Sequence, residues 1–330
     1  MRVHNAFARL QLIPSENVVS SYQQVRVQKS TAADLEQLGT KRKFWYRDEE
    51  GKRLLFKAEE RGTGEDWAEK IACELAALLG IPHVHYELAL EFEGDSETHP
   101  GVVCETCAPR PKWLVLGNQL LKAYDQSYPL EKHRNYKFSQ HTVQAVVDAL
   151  RNLDAPSDEW QSSCNFPEKI NTALDVFVGY VLLDALIANQ DRHHENWGAI
   201  ANGGVLSLAP TFDHGASLAR NISDEQREER LNTLDRGMQI CHYATKARSA
   251  FFKSVGDHKA LKTVEAFEHF AEEAPSFSVE FWCERLDKLA IDDVDGILQK
   301  VPDQRMTKIC KDFTLELIKT NRDRILKGQQ

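Results

Sequence analysis

Residues 188–198 read ANQDRHHENWG, and between Asp191 and Asn196 they gather two histidines, two carboxylates and an amide. Two chemistries compete for such a cluster. One is a metal site built on His193, His194 and an acid. The other is a loop in which Asp191 and Asn196 act while the histidines support them. Zinc wants ligands that converge tetrahedrally, and helical pairs achieve this at i, i+4. His193 and His194 are adjacent. On a helix their side chains would diverge by about 100°, and in a strand they would point to opposite faces. Neither arrangement suits one ion.

The flanking sequence says what delivers this stretch. NTALDVFVGYVLLDALIANQ precedes it, with Leu174, Phe177, Val178, Val181, Leu182, Ala185 and Leu186 recurring at helical spacing. This predicts a buried core helix ending at the motif. GAIANGGVLSLAP follows, in which Asn202-Gly203 between two apolar runs predicts a hairpin. TFDHGASL then supplies Asp213. Upstream, KFWYRDEEGKRLLFKAEE (43–60) places a polar turn between two apolar runs and predicts a hairpin whose second strand ends near Lys57. GTGEDWAEKIACELAALLGIP (62–82) has acids in its first turn, an apolar stripe, and Gly80 and Pro82 as stop signals, which predicts a helix. HVHYELALEF (83–92) and GVVCETC (101–107) read as strands. Cys104 and Cys107 form a lone C-x-x-C and read as core thiols at a strand end. From about residue 120 the pattern is helical, closing on the amphipathic KICKDFTLELIKTNRDRIL.

These parts fit phosphoryl transfer. That chemistry needs a carboxylate to accept the attacking hydroxyl's proton, an Asn and an Asp to hold Mg²⁺, a Lys on the phosphates and a glycine-containing loop over them. Asp191 precedes Asn196 by the separation found in the H-R-D-x-x-x-x-N loop. Core helix, D-x-x-x-x-N loop, hairpin and Asp213 follow in the order of a kinase C-lobe.

At these residues the chain resembles a known family. DRHHENWG followed by LAPTFDHGASL, behind a long apolar helix, looks like the HipA-like serine/threonine kinases, the toxin kinases of bacterial toxin–antitoxin operons. LLFKAEE, GEDWAEKIACELAALLGIPHVHYELA and the terminal CKDFTLELIKTNRDRIL extend the similarity from about residue 36 to the end. The D-R-H-x-x-N form is also similar to phosphoinositide 3- and 4-kinases. The resemblance implies an α+β, bilobal protein-kinase-like fold, with residues 1–35 an extension, 36–120 a small β-rich N-lobe and 121–330 a helical C-lobe. It implies ATP and Mg²⁺ as cofactors, Asp191 as catalytic base with His193 supporting it, and Asn196 and Asp213 as Mg²⁺ ligands. Lys57 would bind phosphates. LGTKRKFWY (38–46) would be the phosphate-covering loop, with Gly39, Thr40 and Lys43. A helix acid would pair with Lys57. Glu69 fits the family's W-x-E beginning, while helical phase brings Glu74 nearer the Trp67/Ile71/Leu78 stripe, where a buried acid wants a partner.

The family also implies a protein substrate, such as an aminoacyl-tRNA synthetase or other translation factor, and a small antitoxin partner that includes a helix-turn-helix DNA-binding protein. Two departures stand out. HipA proper carries an extra N-terminal subdomain, whereas here residues 1–35 alone precede the core, as in the short kinases of three-gene systems. Where the family often bears an autophosphorylated serine, this chain has DLEQLGT with Glu36, which leaves Thr40 or Ser30 as sites of modification. Competing readings are a kinase-fold binding partner with little catalysis and a metal-dependent hydrolase using His193, His194 and Asp213.

Bulk properties agree. A length of 330 residues suits a two-lobed globule, and 42% hydrophobic with 28% charged residues suits a buried core. A net charge of −9 argues against direct strong nucleic-acid binding, which needs a basic surface. Seven scattered cysteines argue against a disulfide framework and for a reducing bacterial cytoplasm. No segment reads as a signal peptide or membrane span.

Overall fold

The computed structural model describes residues 20–32, 34–35, 42–59, 62–129 and 138–328. One sheet carries β1 (Val25–Gln28), β2 (Asp34–Leu35), β3 (Lys43–Arg47), β4 (Arg53–Ala58), β5 (Tyr86–Glu93) and β6 (Ser96–Glu105), in the order β1-β5-β6-β4-β3-β2. β3 and β4 form the hairpin expected around Asp48–Gly51, with Phe44 opposite Phe56 and Lys43 opposite Lys57. Strand alternation sorts β4 by face. Phe56 and Ala58 pack with Phe44, Tyr46 and Val103 on one side. Leu55 packs with Cys73, Tyr86 and Leu88 on the other, the side Lys57 shares. The helix covering that side is α1 (Glu65–Leu79), ended by Gly80 in the left-handed conformation, as its stop signals predict.

The segment read as an extension contributes to this sheet. β1 lies parallel to β5, with Val25 opposite Ala89. Its pattern is weak because Val27 is its one buried side chain. A boundary at residue 120 likewise divides an element. β7 (Trp113–Leu116) pairs with the C-lobe hairpin rather than the N-lobe sheet, and α2 (Gly117–Tyr124) follows directly.

The helical lobe continues with α3 (Val143–Leu150), α4 (Asp158–Gln161) and α5 (Ala173–Leu186), the hairpin β8 (Gly198–Asn202) and β9 (Val205–Leu208), then α6 (Asp224–Asn232), α7 (Ile240–Ala244), α8 (Thr263–Glu273), α9 (Ser276–Asp287), α10 (Ile291–Gln299) and α11 (Lys308–Lys327). Every residue of α5 is buried, as expected for a helix apolar on all sides. Thr172 and Asp175 form a capping box at its start. Asp175 also accepts from Ser278 Oγ (2.5 Å), and its carbonyl accepts from Trp282 Nε1 (2.7 Å), which fixes α9 against α5. At the other end, Asn321 Nδ2 of α11 donates to the Leu186 carbonyl at 3.0 Å. The C-terminal helix thus satisfies an orphan carbonyl just before the opening motif. The β8–β9 turn is Gly203-Gly204, both at positive φ, one residue past the Asn202-Gly203 signal. A type I′ turn needs left-handed backbone at both central positions.

The lobes are tied by backbone and by charge. Val84 N donates to Thr211 O (3.0 Å) and Thr211 N to Pro82 O (2.9 Å). Arg305 pairs with Asp66 of α1, both buried, and donates to the Gly101 carbonyl at 3.1 Å. Among the described residues no helix is long and apolar enough to cross a membrane.

Candidate active site

Three elements and the segment after β9 bring one half of the site together. Lys57 extends from β4, and its ammonium lies 3.2 Å from Glu69 Oε1 of α1 and 3.3 Å from Asp213 Oδ1. It also donates to the Tyr86 hydroxyl of β5 at 3.3 Å. Glu69, and not Glu74, is therefore the helix acid that meets Lys57. Glu74 pairs instead with Lys70 at 2.7 Å. The two acids stand five residues apart, about 140° around the helix, so the face of α1 that meets β4 decides between them in favour of the W-x-E position. The other oxygen of Glu69 accepts from the backbone N–H of His214 at 2.8 Å, so Glu69 fixes the lysine and the chain beside Asp213 at once.

The electrostatics separate the two carboxylates. Burial would raise Asp213, but the ammoniums of Lys57 and Lys43 outweigh it and hold its carboxyl well below the usual range. Burial pushes Glu69 up to about 7, with Lys57 opposing and Asp213 reinforcing the rise. Like charges that share one lysine divide in this way. Asp213 keeps the negative charge and is the more accessible, with its side chain 42% exposed against 4% for Glu69. Its backbone sits at φ 60°, a left-handed conformation that Asp and Asn tolerate best among side-chain-bearing residues. The Tyr86 hydroxyl accepts its N–H at 3.4 Å.

The other half is the Asp191–Asn196 loop. His193 N and Asn196 Nδ2 both donate to the Asp191 carbonyl, at 2.7 and 2.6 Å. The loop is thus closed on itself through the amide nitrogen of Asn196. The Asp191 side chain is 46% exposed, and His193 Nε2 stands 4.0 Å from its Oδ1. His193 N and Nδ1 are occupied within the loop, Nδ1 accepting from Glu195 N at 3.1 Å.

His194 and Glu195 have partners of their own outside the loop. The His194 ring stacks on Phe138 with centroids 5.2 Å apart, and its Nδ1 lies 2.8 Å from the Tyr128 hydroxyl. Burial lowers its pKa to about 4. Glu195 Oε1 accepts from Asn118 Nδ2 of α2 at 3.3 Å. The two imidazoles stand at 90° to each other and face different partners, which disfavours a shared ion.

One residue joins the halves, and sequence reading passed over it. Arg192 is 1% exposed and forks onto Asp184 of α5, with both N–O distances 2.7 Å. The same guanidinium donates to Asn196 O (2.9 Å), to Phe212 O (3.4 Å) and to His214 Nε2 (3.1 Å). His214 Nε2 is therefore the acceptor, and burial with the neighbouring Arg192 holds this ring well below its ordinary pKa. The signal for Arg192 was Asp184, an acid inside an apolar helix that needs a buried partner. Tyr86 gave no signal, since it alternates like any strand aromatic.

Gly39 and Thr40 of the phosphate-covering stretch, and Glu36, lie outside the described residues. Lys43 lies beside the site, directly opposite Lys57. Ser30 is exposed in the short turn Lys29–Thr31. Cys104 and Cys107 are buried and unpaired.

This is a bilobal kinase fold: a sheet with a strand lysine, a covering helix with its glutamate, and a helical lobe with the Asp–Asn loop and a second Asp. Among solved structures, the chain is similar to the proinflammatory kinase CtkA of Helicobacter pylori, with 18% identity over 89% of this chain and 92% of that one and a TM-score of 0.63. It is also similar to HipA of Shewanella oneidensis MR-1, solved with HipB and operator DNA, with 11% identity over 89% and 67% of the two chains and a TM-score of 0.53. The fold is the HipA-like kinase fold. No family model and no curated protein sequence matches the chain.

Proposed function

We propose that the chain is an ATP- and Mg²⁺-dependent protein serine/threonine kinase of toxin type. The observation that carries this reading is Lys57, held at 3.2 Å from Glu69 and 3.3 Å from Asp213, beside a loop that Arg192 bonds to the Asp213 segment. Lys57 and Lys43 present two ammoniums to a polyphosphate. Asp213 and the Asn196 amide oxygen are hard oxygen donors, the set that suits Mg²⁺. Bound there, the ion would neutralise charge on the transferring phosphate. Asp191, half-exposed and fixed through its carbonyl, accepts the proton of the substrate hydroxyl. His193 closes the loop that aims it. Glu69 orients Lys57 and, through His214 N, the backbone next to Asp213.

The substrate is a protein hydroxyl, with a translation factor or aminoacyl-tRNA synthetase the choice favoured by resemblance. By likeness to HipA, a small DNA-binding antitoxin is the partner, and a net charge of −9 leaves DNA contact to it. The test is labelled ATP with a bacterial lysate, the labelled proteins being identified by mass spectrometry. Asp191→Asn should lower turnover by about 10²–10⁴-fold. Asp213→Asn, which keeps the left-handed backbone, should abolish transfer with the fold intact. Full activity in a folded Asp213→Asn protein sinks the assignment. Nucleotide binding without transfer in the wild type would mark a kinase-fold binding partner instead.

A further inference from the structure

Among the described residues, one group of three His, Cys, Asp or Glu side chains brings a ligand atom from each within 4.8 Å of the others, and it lies outside the Asp191–Asn196 loop. It is Cys73, His83 and His85. Cys73 sits on α1 one turn beyond Glu69. His83 and His85 are two apart in the extended stretch leading into β5, so their side chains leave on the same side. Helix and strand thus supply a thiol and two imidazoles to one place.

The hydrogen bonds leave the right atoms open. His83 Nδ1 lies 2.7 Å from the Ile81 carbonyl. A carbonyl only accepts, so Nδ1 carries the proton and Nε2 keeps a lone pair. His85 Nε2 lies 2.6 Å from Glu87 Oε1, and the other Glu87 oxygen meets Lys70 at 2.9 Å. The proton of His85 therefore faces Glu87, and its Nδ1 lone pair faces Cys73 Sγ at 3.6 Å. Sulfur at ~2.3 Å and nitrogen at ~2.1 Å from one tetrahedral zinc are separated by roughly 3.6 Å. Histidine ligands usually donate their second nitrogen to a carbonyl or carboxylate, and here one does each.

We propose that Cys73, His83 and His85 bind a divalent ion of the zinc class, with the fourth position open to water on the exposed His85 side. Thiolate with imidazole selects a borderline ion over Mg²⁺. Binding displaces the proton of the buried Cys73 thiol into solvent and forms one metal–sulfur and two metal–nitrogen bonds. The ion clamps α1 to the segment whose Thr211 contact and Tyr86 hydroxyl reach the Asp213 backbone. The site stands whether or not the chain transfers phosphate.

The full chain, reduced and stripped of metal, is titrated with Co²⁺ in excess Mg²⁺, then with Zn²⁺ against a chromophoric chelator. About one equivalent of Co²⁺ should bind with a thiolate-to-cobalt charge-transfer band, Zn²⁺ should displace it, and about one proton should be released. Zinc should raise the melting temperature. His85→Ala, at an exposed position, and Cys73→Ser should each remove the band. Glu87→Gln should weaken binding by about tenfold. Cys104→Ser should change nothing. The absence of a thiolate band, its survival in His85→Ala, or its loss in Cys104→Ser would each overturn the proposal.

Discussion

At the scale of residues, Arg192 organises the site more than any group that touches it. Its guanidinium is buried with Asp184 in a two-pronged pair, and its remaining donors reach the carbonyls of Asn196 and Phe212. Removing one member of such a pair strands a buried charge, which costs about 3–5 kcal/mol. Arg192→Met should therefore lower unfolding free energy by about that amount in urea titration. Arg192→Lys should recover little of it, because an ammonium cannot span both oxygens and the carbonyls together. Phosphate transfer should fall in both variants even where each is still folded, since the Asn196 and Asp213 segments lose their common strut.

At the scale of elements, α5 is the part on which the rest is built. Its middle passes so close to α9 that Gly179 faces Trp282: a Cβ there would lie 2.5 Å from the indole ring. Gly179→Ala would be favourable for an isolated helix but overpacks this crossing, at about 1–3 kcal/mol. A fall in melting temperature, with helical circular dichroism unchanged below the transition, is the expected outcome. The Asn321 bond to Leu186 O works at the other end. Asn321→Leu leaves a buried carbonyl unsatisfied and should cost about 1–3 kcal/mol, with hydrogen exchange accelerated at the C-terminal turn of α5.

At the scale of the whole molecule, buried titratable groups set a pH window. Burial holds His141 down to about 3 and His194 to about 4, with His214 also depressed. Groups depressed in the fold lend stability above their unfolded pKa of about 6.5 and withdraw it as pH falls. Glu69 acts in the opposite sense. Its folded pKa is raised to about 7, so its contribution is full below about 4.5 and lost as pH rises through about 7. Stability of the metal-free, nucleotide-free protein should peak near neutrality or just below. His194→Phe should flatten the acid limb by up to ~1.4 kcal/mol per pH unit, and Glu69→Gln should remove the alkaline one. Denaturant midpoints measured from pH 4 to 9 check both.

Much of this architecture was legible in the chain because local rules carried it. Gly80 stopped α1, apolar periodicity announced α5, and turn chemistry located both hairpins, one of them off by a residue. The strand Val25–Gln28 was illegible because it buries a single side chain and draws its stability from pairing with β5. The spacing of Asp191 and Asn196 and the sequence order of Lys57 and Asp213 singled out the residues proposed to work, since covalent separation is a property of sequence, and the fold brings Lys57 to Asp213. Which glutamate meets Lys57, and what Arg192 and His194 hold, were decided by tertiary structure alone. Those choices depend on which face of one element lies against another, and on desolvation that sets which buried charge must find a partner. Asp184 inside an apolar helix signals that a partner is needed, but no local pattern says which group supplies it.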